Sequence, residues 1–197
     1  MYLYRTVRWL VDKVMRLLFW FRVYGRENVP ADGPVVVCAN HLSWWDPFAV
    51  GVGVPRILYF MAKVEAFSYP IIGPLLPKVG AFPVHRGTAD RQALSTALNK
   101  LAEGKAVAMF IEGTRSRTGE LLPAYPGAAW LATRQRAPIL PVAIKGQWRL
   151  FRPVRVYIGE PFELEEYYGQ KVNSNELAQA GQKIMDRIQE LLADEHA

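Results

Sequence analysis

The chain is organised around one segment, Val35-Val36-Val37-Cys38-Ala39-Asn40-His41-Leu42-Ser43-Trp44-Trp45-Asp46. Its apolar, β-branched run up to Ala39 predicts a strand that is buried on both faces. His41 follows the carboxyl end of this strand, where open α/β sheets place their ligands. A helix beginning near the two tryptophans puts Asp46 in its first turn, and a turn before that helix brings the carboxylate back onto the imidazole.

A histidine paired with an aspartate in this way is a general base. The acid fixes the tautomer, and the imidazole accepts a proton from a hydroxyl nucleophile. The same spacing also fits a loop histidine beside a helix-capping aspartate, so spacing alone leaves both interpretations open. His85 and Asp90 repeat the spacing, but a helix begins beside them. We therefore interpret Asp90 as a first-turn residue and His41 as the base.

The amino-acid composition indicates a globular protein and limits the chemical classes of its partner. The chain has 197 residues, of which 51% are hydrophobic and 21% charged, as in one globular domain. Its net charge of +6 favours an anionic partner, which is nucleic acid, anionic lipid or a phosphorylated substrate. The single cysteine, Cys38, excludes an internal disulfide and is expected in the core. One cysteine and three scattered histidines predict no metal site.

Residues 2 to about 21 predict an amphipathic helix with basic residues opposite an apolar stripe. The polar side carries Arg5, Arg8, Asp12 and Arg16, and the apolar side carries Leu3, Val7, Leu10, Val14, Leu17, Leu18 and Phe21. Such a helix lies on a surface of anionic lipid or packs on the domain's own core, and its aromatic residues favour the membrane. No uncharged apolar stretch approaches the roughly 18 residues that span a bilayer. We expect a peripheral or monotopic protein on the cytoplasmic side of the cell membrane.

Strand and helix patterns alternate along the remaining chain. They predict an α/β fold: a central mixed, mostly parallel sheet flanked by helices, in a single domain over 22–197 that follows the membrane-association helix 1–21. Strands are expected near 19–25, 35–39, 57–62, 81–84, 106–111, 139–144 and 154–158, and helices near 48–54, 89–103, 127–136 and 174–193. Pro83 makes the fourth strand an edge strand, and Thr88 is expected to cap the helix that follows it.

Polar clusters follow three of these strands. They are Asn40-His41 with Asp46, His85-Arg86-Gly87, and Glu112-Gly113-Thr114-Arg115. In one sheet, such strand ends meet at a shared crevice. Gly113 lets backbone amides approach a ligand, while Arg115 and Arg86 offer planar forks that match phosphate oxygens. A solvated basic loop is the alternative for Arg115.

Four motifs in order resemble the glycerolipid acyltransferases, specifically the 1-acyl-glycerol-3-phosphate (lysophosphatidic acid) acyltransferase family. The first is Asn40-His41 with Asp46, and the second runs from Lys63-Val64-Glu65 to Phe82-Pro83-Val84-His85-Arg86. The third is Phe110-Ile111-Glu112-Gly113-Thr114-Arg115-Ser116, and the fourth is Ala137-Pro138-Ile139-Leu140-Pro141-Val142. Together they span about residues 35 to 145 and are far more specific than any one of them alone.

The resemblance implies a reaction and a set of roles. His41, oriented by Asp46, would deprotonate the free hydroxyl of lysophosphatidic acid. That hydroxyl would attack an acyl thioester of acyl carrier protein or coenzyme A, without an acyl-enzyme, and give phosphatidic acid. In the acceptor site, Arg86, Gly113, Thr114 and Arg115 would bind the phosphate, Glu112 would orient the loop or the acceptor, and Lys63 and Glu65 would line the wall.

The resemblance also leaves questions open. Relatives commonly carry Phe-Lys-x-Gly where this chain has Ala124-Tyr125-Pro126-Gly127, so a basic residue is missing and the acceptor stays open. No cofactor is expected. A non-catalytic lipid-binding protein is the main alternative, but such a protein has no need of a base. A nucleic-acid partner is not expected, because the aromatic residues are not interleaved with the basic loop.

Overall fold

Seven strands form one sheet in a computed structural model that describes residues 2–85 and 90–193. They are β1 (Arg22–Tyr24), β2 (Val35–Ala39), β3 (Leu58–Lys63), β4 (Phe82–Val84), β5 (Ala106–Phe110), β6 (Ile139–Gly146) and β7 (Val154–Ile158). Their order across the sheet is β1-β7-β6-β2-β5-β3-β4. Only the β6–β7 pairing is antiparallel among these neighbours. The predicted α/β fold with a mixed, mostly parallel sheet is confirmed.

In the described part of the chain, five α-helices cover the two faces of this sheet. They are α1 (Tyr2–Phe19), α2 (Asp46–Gly53), α3 (Arg91–Ala102), α4 (Gly127–Gln135) and α5 (Ser174–Ala193). Buried residues of α1 and α2 share one hydrophobic cluster with the sheet, and those of α3, α4 and α5 share another. The molecule therefore has three layers, with the sheet in the middle.

β2 lies at the centre of the sheet and is buried along its whole length. Val35, Val37 and Ala39 face the α1 and α2 side, whereas Val36 and Cys38 face the other three helices. This alternation explains why the segment is apolar at every position, since both faces of the strand meet helices. Burial raises the pKa of the Cys38 thiol, which is the expected behaviour of a small core residue.

The N-terminal helix packs on the core and also exposes apolar side chains. Met15 and Phe19 are buried against the α2 side of the sheet. The exposed part of α1 carries large apolar residues at helical spacing: Leu3, Leu10, Val14 and Leu17. Packing on the domain's own core is thus observed, and it leaves an apolar stripe open to a second surface. Within the described ranges, no helix is both long and apolar enough to cross a membrane.

Two helix starts differ from the prediction. α2 begins at Asp46, two residues earlier than its apolar pattern indicated, and the aspartate is in its first turn. α3 begins at Arg91, with Asp90 as its N-cap accepting a hydrogen bond from the Ala93 amide at 3.0 Å. Aspartate caps a helix at least as well as threonine does, so the chain enters the helix after the later residue. The predicted cap, Thr88, lies outside the described residues.

Candidate active site

The ends of four parallel strands bring the predicted site residues to one edge of the sheet. β2 lies beside β5, which lies beside β3, and β4 follows at the edge. His41, Glu112 and His85 come shortly after the carboxyl ends of β2, β5 and β4. Neighbouring strands are about 4.8 Å apart, so the end of β4 lies about 14 Å from the end of β2. The edge is wide enough for an elongated ligand.

His41 and Asp46 form a buried hydrogen-bonded pair at the end of β2. The His41 Nδ1 lies 2.8 Å from Asp46 Oδ2, and the same oxygen accepts hydrogen bonds from the backbone amides of Leu42 and Ser43 at 2.5 and 2.6 Å. Trp148 Nε1 donates to the other oxygen, Oδ1, at 2.8 Å. The His41 side chain is 6% exposed and that of Asp46 is 0% exposed. The tight turn after β2 thus folds the first-turn carboxylate back onto the imidazole.

The imidazole of His41 is also held from one face. It stacks on the Phe110 ring, with ring centroids 3.9 Å apart and an angle of 11° between the ring planes. Phe110 is the last residue of β5, which pairs with β2, so the register Ala39 to Phe110 places the ring beside the histidine. With Nδ1 directed at a carboxylate, the proton of the neutral ring is favoured on Nδ1 and the basic lone pair on Nε2.

Asn40 extends the sheet by one pair of side-chain hydrogen bonds. Its Nδ2 donates to the Ile144 carbonyl at 3.0 Å, and its Oδ1 accepts from the Ile144 amide at 2.7 Å. The side chain is buried and therefore completes the ladder between β2 and β6 where the backbone turns away. Asn40 locks the strand end from which His41 projects.

Glu112 connects the loop that carries His41 to the loop that carries Leu122. Its Oε1 accepts a hydrogen bond from the His41 amide at 2.8 Å, and its Oε2 accepts one from the Leu122 amide at 3.0 Å. Burial raises the pKa of the Glu112 carboxyl, while these two amide donors act in the opposite direction. Both oxygens are used within the chain, so the geometry matches a carboxylate that orients the loop.

Gly113 and Arg115 lie on a turn that is joined to the His41 loop. The Ser116 amide donates to the His41 carbonyl at 2.8 Å, which fixes the turn beside the dyad. Gly113 has φ +65°, and a Cβ there would lie 3.1 Å from the Tyr125 ring, so glycine is favoured at this position. The guanidinium of Arg115 stacks on the Trp44 ring at 4.2 Å. Thr114 is exposed between them.

The residues of the second motif lie further along the edge. Lys63 and Glu65 form an exposed ion pair with each other at 3.0 Å. The pKa of Glu65 is lowered by its own backbone amide and by Lys63, with a smaller effect from His85, so these residues sit toward the β4 end. β5 lies between β2 and β3 in the sheet, so it separates Lys63 and Glu65 from His41. Arg86 lies outside the described residues.

The second pair, His85 and Asp90, does form a hydrogen bond. His85 Nδ1 lies 2.9 Å from Asp90 Oδ2, and Asp90 also accepts from the His85 amide and caps α3. These donors hold the pKa of Asp90 well below its usual range. The interpretation of Asp90 as a first-turn residue alone was therefore incomplete, because a capping aspartate has a second oxygen for a histidine. The His85 side chain is 68% exposed, and this exposure distinguishes the pair from His41 and Asp46.

Two site residues were missed from the sequence. Trp148 follows the end of β6 and lies 102 positions from Asp46 along the chain, so no local pattern links them. Phe110 was read only as part of a motif, although the parallel pairing of β2 and β5 puts it against the imidazole. A correct strand order was the signal needed to find either residue, since β5 and β6 are the two neighbours of β2.

Known proteins are similar to this chain in sequence and in fold. Residues 21–145 match the sequence model of the family described as Acyltransferase. The chain belongs to the acyltransferase family. It is 35% identical over 176 residues to the 1-acyl-sn-glycerol-3-phosphate acyltransferase of Bacillus subtilis, covering 86% of this chain and 87% of the relative. The resemblance inferred from the four motifs is confirmed.

Two further relatives extend the comparison of this acyltransferase. The 1-acyl-sn-glycerol-3-phosphate acyltransferase of Streptococcus pneumoniae is 27% identical over 176 residues, which are 85% of this chain and 64% of the relative. The crystal structure of the 1-acyl-sn-glycerophosphate (LPA) acyltransferase PlsC from Thermotoga maritima superposes with a TM-score of 0.75 at 27% identity. That match covers 100% of this chain and 82% of the other, so the shared fold extends from α1 to α5.

A first prediction concerns the strand end of this acyltransferase. Asn40→Asp replaces a donor with a carboxylate oxygen that faces the Ile144 carbonyl and buries a charge. We expect a loss of about 2–4 kcal/mol in the free energy of unfolding, measured by urea denaturation. The control Asn99→Asp makes the same change on the exposed side of α3 and is expected to cost about 0.5 kcal/mol or less. Equal losses in the two variants would contradict the structural role of Asn40.

Proposed function

We propose that this acyltransferase moves a fatty acyl group from an acyl thioester to the free hydroxyl of lysophosphatidic acid and so forms phosphatidic acid. The proposal is carried by the buried 2.8 Å contact between His41 and Asp46 at the end of β2. An arginine-bearing turn is attached to the same loop. The B. subtilis and S. pneumoniae relatives are named for this acceptor, 1-acyl-sn-glycerol-3-phosphate.

His41 acts as the general base in this proposal. Its Nε2 takes the proton of the acceptor hydroxyl while the hydroxyl oxygen attacks the thioester carbonyl carbon. The tetrahedral intermediate collapses, the carbon–sulfur bond breaks, and the sulfur leaves as a thiol with the proton from His41. Asp46 stabilises the imidazolium formed between the two steps, and the acyl group passes directly to the acceptor without an acyl-enzyme.

The acceptor's phosphate binds at the turn after β5. The guanidinium of Arg115 lies over the Trp44 ring at 4.2 Å, and its planar fork of N–H donors matches the oxygens of a phosphate. Gly113 has a left-handed conformation and no side chain, so backbone amides can approach the phosphate. Thr114 offers an exposed hydroxyl to the same phosphate. The ion pair of Lys63 and Glu65 extends the acceptor site along the sheet edge. Arg86, which comes two residues after β4 in the sequence, is proposed as a second phosphate ligand.

The acyl donor is a thioester of acyl carrier protein or of coenzyme A. Both present the same reacting group, a thioester on a phosphopantetheine arm, so the His41 chemistry serves either donor. The acyl chain binds along the apolar segment Phe67–Leu76 and α1. This segment is formed by short 3-10 turns and exposes Ile71, Ile72 and Leu75.

The enzyme works at an anionic membrane surface as a peripheral or monotopic protein of the cytoplasmic side. The exposed stripe of α1 supports this assignment, and Leu150 and Phe151 extend it, because the Phe151 amide donates to the Leu18 carbonyl at 2.7 Å. The polar side of α1 faces the domain, where Arg8 and Arg26 donate hydrogen bonds to the Val52 carbonyl at 3.3 and 3.1 Å. The net charge of +6 favours anionic lipid.

The first test of the proposal removes the base. In His41→Ala, the carboxylate of Asp46 keeps the donors Leu42, Ser43 and Trp148, so folding is preserved. We expect kcat to fall at least about a hundredfold. The assay pairs lysophosphatidic acid, a second lysophospholipid and glycerol 3-phosphate with both thioester donors, and product is quantified for each pair.

The matched control is His85→Ala, which breaks the exposed pair of the same spacing. It is expected to retain kcat within about threefold, because a solvent-exposed pair contributes little. Substantial turnover in folded His41→Ala, or an equal loss in both variants, would refute His41 as the base. Binding of lysophosphatidic acid without any thioester consumption by the unaltered protein would favour the non-catalytic lipid-binding protein.

The proposed contact between Arg115 and the phosphate is tested by comparing acceptors with and without a phosphate. Arg115→Ala is expected to raise KM for lysophosphatidic acid about tenfold or more, since a charge-assisted hydrogen bond to the phosphate is lost. KM for a monoacylglycerol, which lacks the phosphate, is expected to change little. Arg117→Ala is the control from the same turn, with an exposed side chain. Equal effects of the two substitutions on lysophosphatidic acid would exclude a specific contact by Arg115.

Membrane binding is tested on the exposed stripe of α1. Leu17→Glu places a charge on a residue that is 71% exposed and has no core contact to lose. We expect binding to phosphatidylglycerol–phosphatidylcholine vesicles to weaken by about tenfold, as measured by co-sedimentation. Gln92→Glu adds the same charge on the exposed side of α3 and is expected to leave binding within about twofold. If Leu17→Glu binds the vesicles as strongly as the unaltered protein, the proposed contact of α1 with the membrane is refuted.

A further inference from the structure

The two oxygens of the Asp46 carboxylate are held in different ways. Oδ2 faces His41 Nδ1 and the amides of Leu42 and Ser43, which are all close in sequence. Oδ1 accepts from Trp148 Nε1 at 2.8 Å, and this donor comes from the loop after β6. Three contacts therefore hold one oxygen through the local turn, and a single distant side chain holds the other.

The indole of Trp148 is itself fixed by aromatic packing. The Phe19 ring of α1 meets it edge to face, with centroids 5.1 Å apart and planes at 82°. Trp45 lies on another side at 6.3 Å, and it also contacts Phe19 at 5.4 Å. The three rings form an aromatic cluster (Phe19, Trp45 and Trp148) beside the dyad, so the direction of the indole N–H is set by packing.

We propose that Trp148 is a positioning residue for the His41–Asp46 dyad. This inference rests on the proposed function, in which His41 is the base. A carboxylate rotates easily about its terminal bond, and a donor on Oδ1 restrains that rotation so that Oδ2 keeps facing Nδ1. The N–H also offsets part of the carboxylate's negative charge and thereby limits how strongly Asp46 stabilises the imidazolium.

The aromatic cluster also links α1 to the active site. Phe19 lies at the end of α1, is buried, and touches both tryptophans of the aromatic cluster. The helix that carries the exposed apolar stripe thus supports the side chain that restrains Asp46. The docking of α1 on the sheet thus contributes to the packing that orients Trp148.

The test removes the N–H and keeps a ring. Trp148→Phe is compared with Trp45→Phe, which makes the same change in the same cluster, whereas the indole hydrogen bond to Asp46 Oδ1 comes from Trp148. We expect Trp148→Phe to lower kcat about tenfold, with KM for both substrates within about twofold. Trp45→Phe is expected to keep kcat within about twofold and leave the pH profile in place.

The pH profile of kcat separates positioning from general support. Asp46 from α2 and Glu112 from the turn after β5 hydrogen-bond His41, Arg115 lies on that same turn, and these three residues stay unchanged in Trp148→Phe. Because the Leu42 and Ser43 amides still hold Oδ2 near Nδ1, the main effect of losing the N–H on the imidazolium is a more negative carboxylate, which stabilises it more. The acid limb of the profile should therefore move to higher pH by about half a unit.

Three results would overturn the proposal: an unchanged kcat in Trp148→Phe, a loss of kcat with an unmoved acid limb, or equal losses in the two variants. The thermal midpoint of each variant is measured alongside, because a structural effect of the ring would appear there in both. The proposed function fails separately, if folded His41→Ala retains turnover. The positioning role of Trp148 can thus be refuted without refuting His41 as the base.

Discussion

The site depends on how one buried carboxylate is satisfied. Asp46 has no exposed surface, and a charge removed from water is costly unless donors replace the lost hydration. Here the imidazole, two backbone amides and an indole N–H surround its two oxygens. Three of these donors come from the turn after β2 and the fourth comes from the loop after β6, so both oxygens are satisfied together only when β2 and β6 are paired.

Much of this arrangement follows from local sequence. The Val35–Ala39 run is apolar at every position because both faces meet helices, and this property also placed His41 at a strand end. The position of Asp46 in the first turn of α2 followed from the segment after the strand. The alternation of later strands and helices predicted the layers. These features depend on residues that are near one another along the chain, where periodicity and turn chemistry are informative.

What could not be predicted depends on strand order. Phe110 and Trp148 reach the dyad because β5 and β6 flank β2, and neither neighbour is adjacent to β2 in sequence. α1 was treated as a choice between the membrane and the core, yet it uses Met15 and Phe19 for packing while Leu17 stays exposed. One face of a helix can pack on the core while another face stays exposed to a membrane. Which residues face the core depends on how the helix docks on the sheet. Arg86 lies outside the described residues, so its part in phosphate binding stays a prediction.

The two His–Asp pairs show why spacing cannot identify a base. Both have Nδ1–Oδ2 distances close to 2.9 Å across five residues, and both aspartates stand at a helix start. They differ in environment: the His85 side chain is 68% exposed, that of His41 is 6% exposed. Water screens the exposed pair, whereas an aspartate in a low-dielectric interior acts strongly on its partner. The buried pair also has a donor on its second oxygen and an aromatic face against its imidazole. Burial and these additional contacts, which arise only from the assembled sheet, make one pair suited to proton transfer.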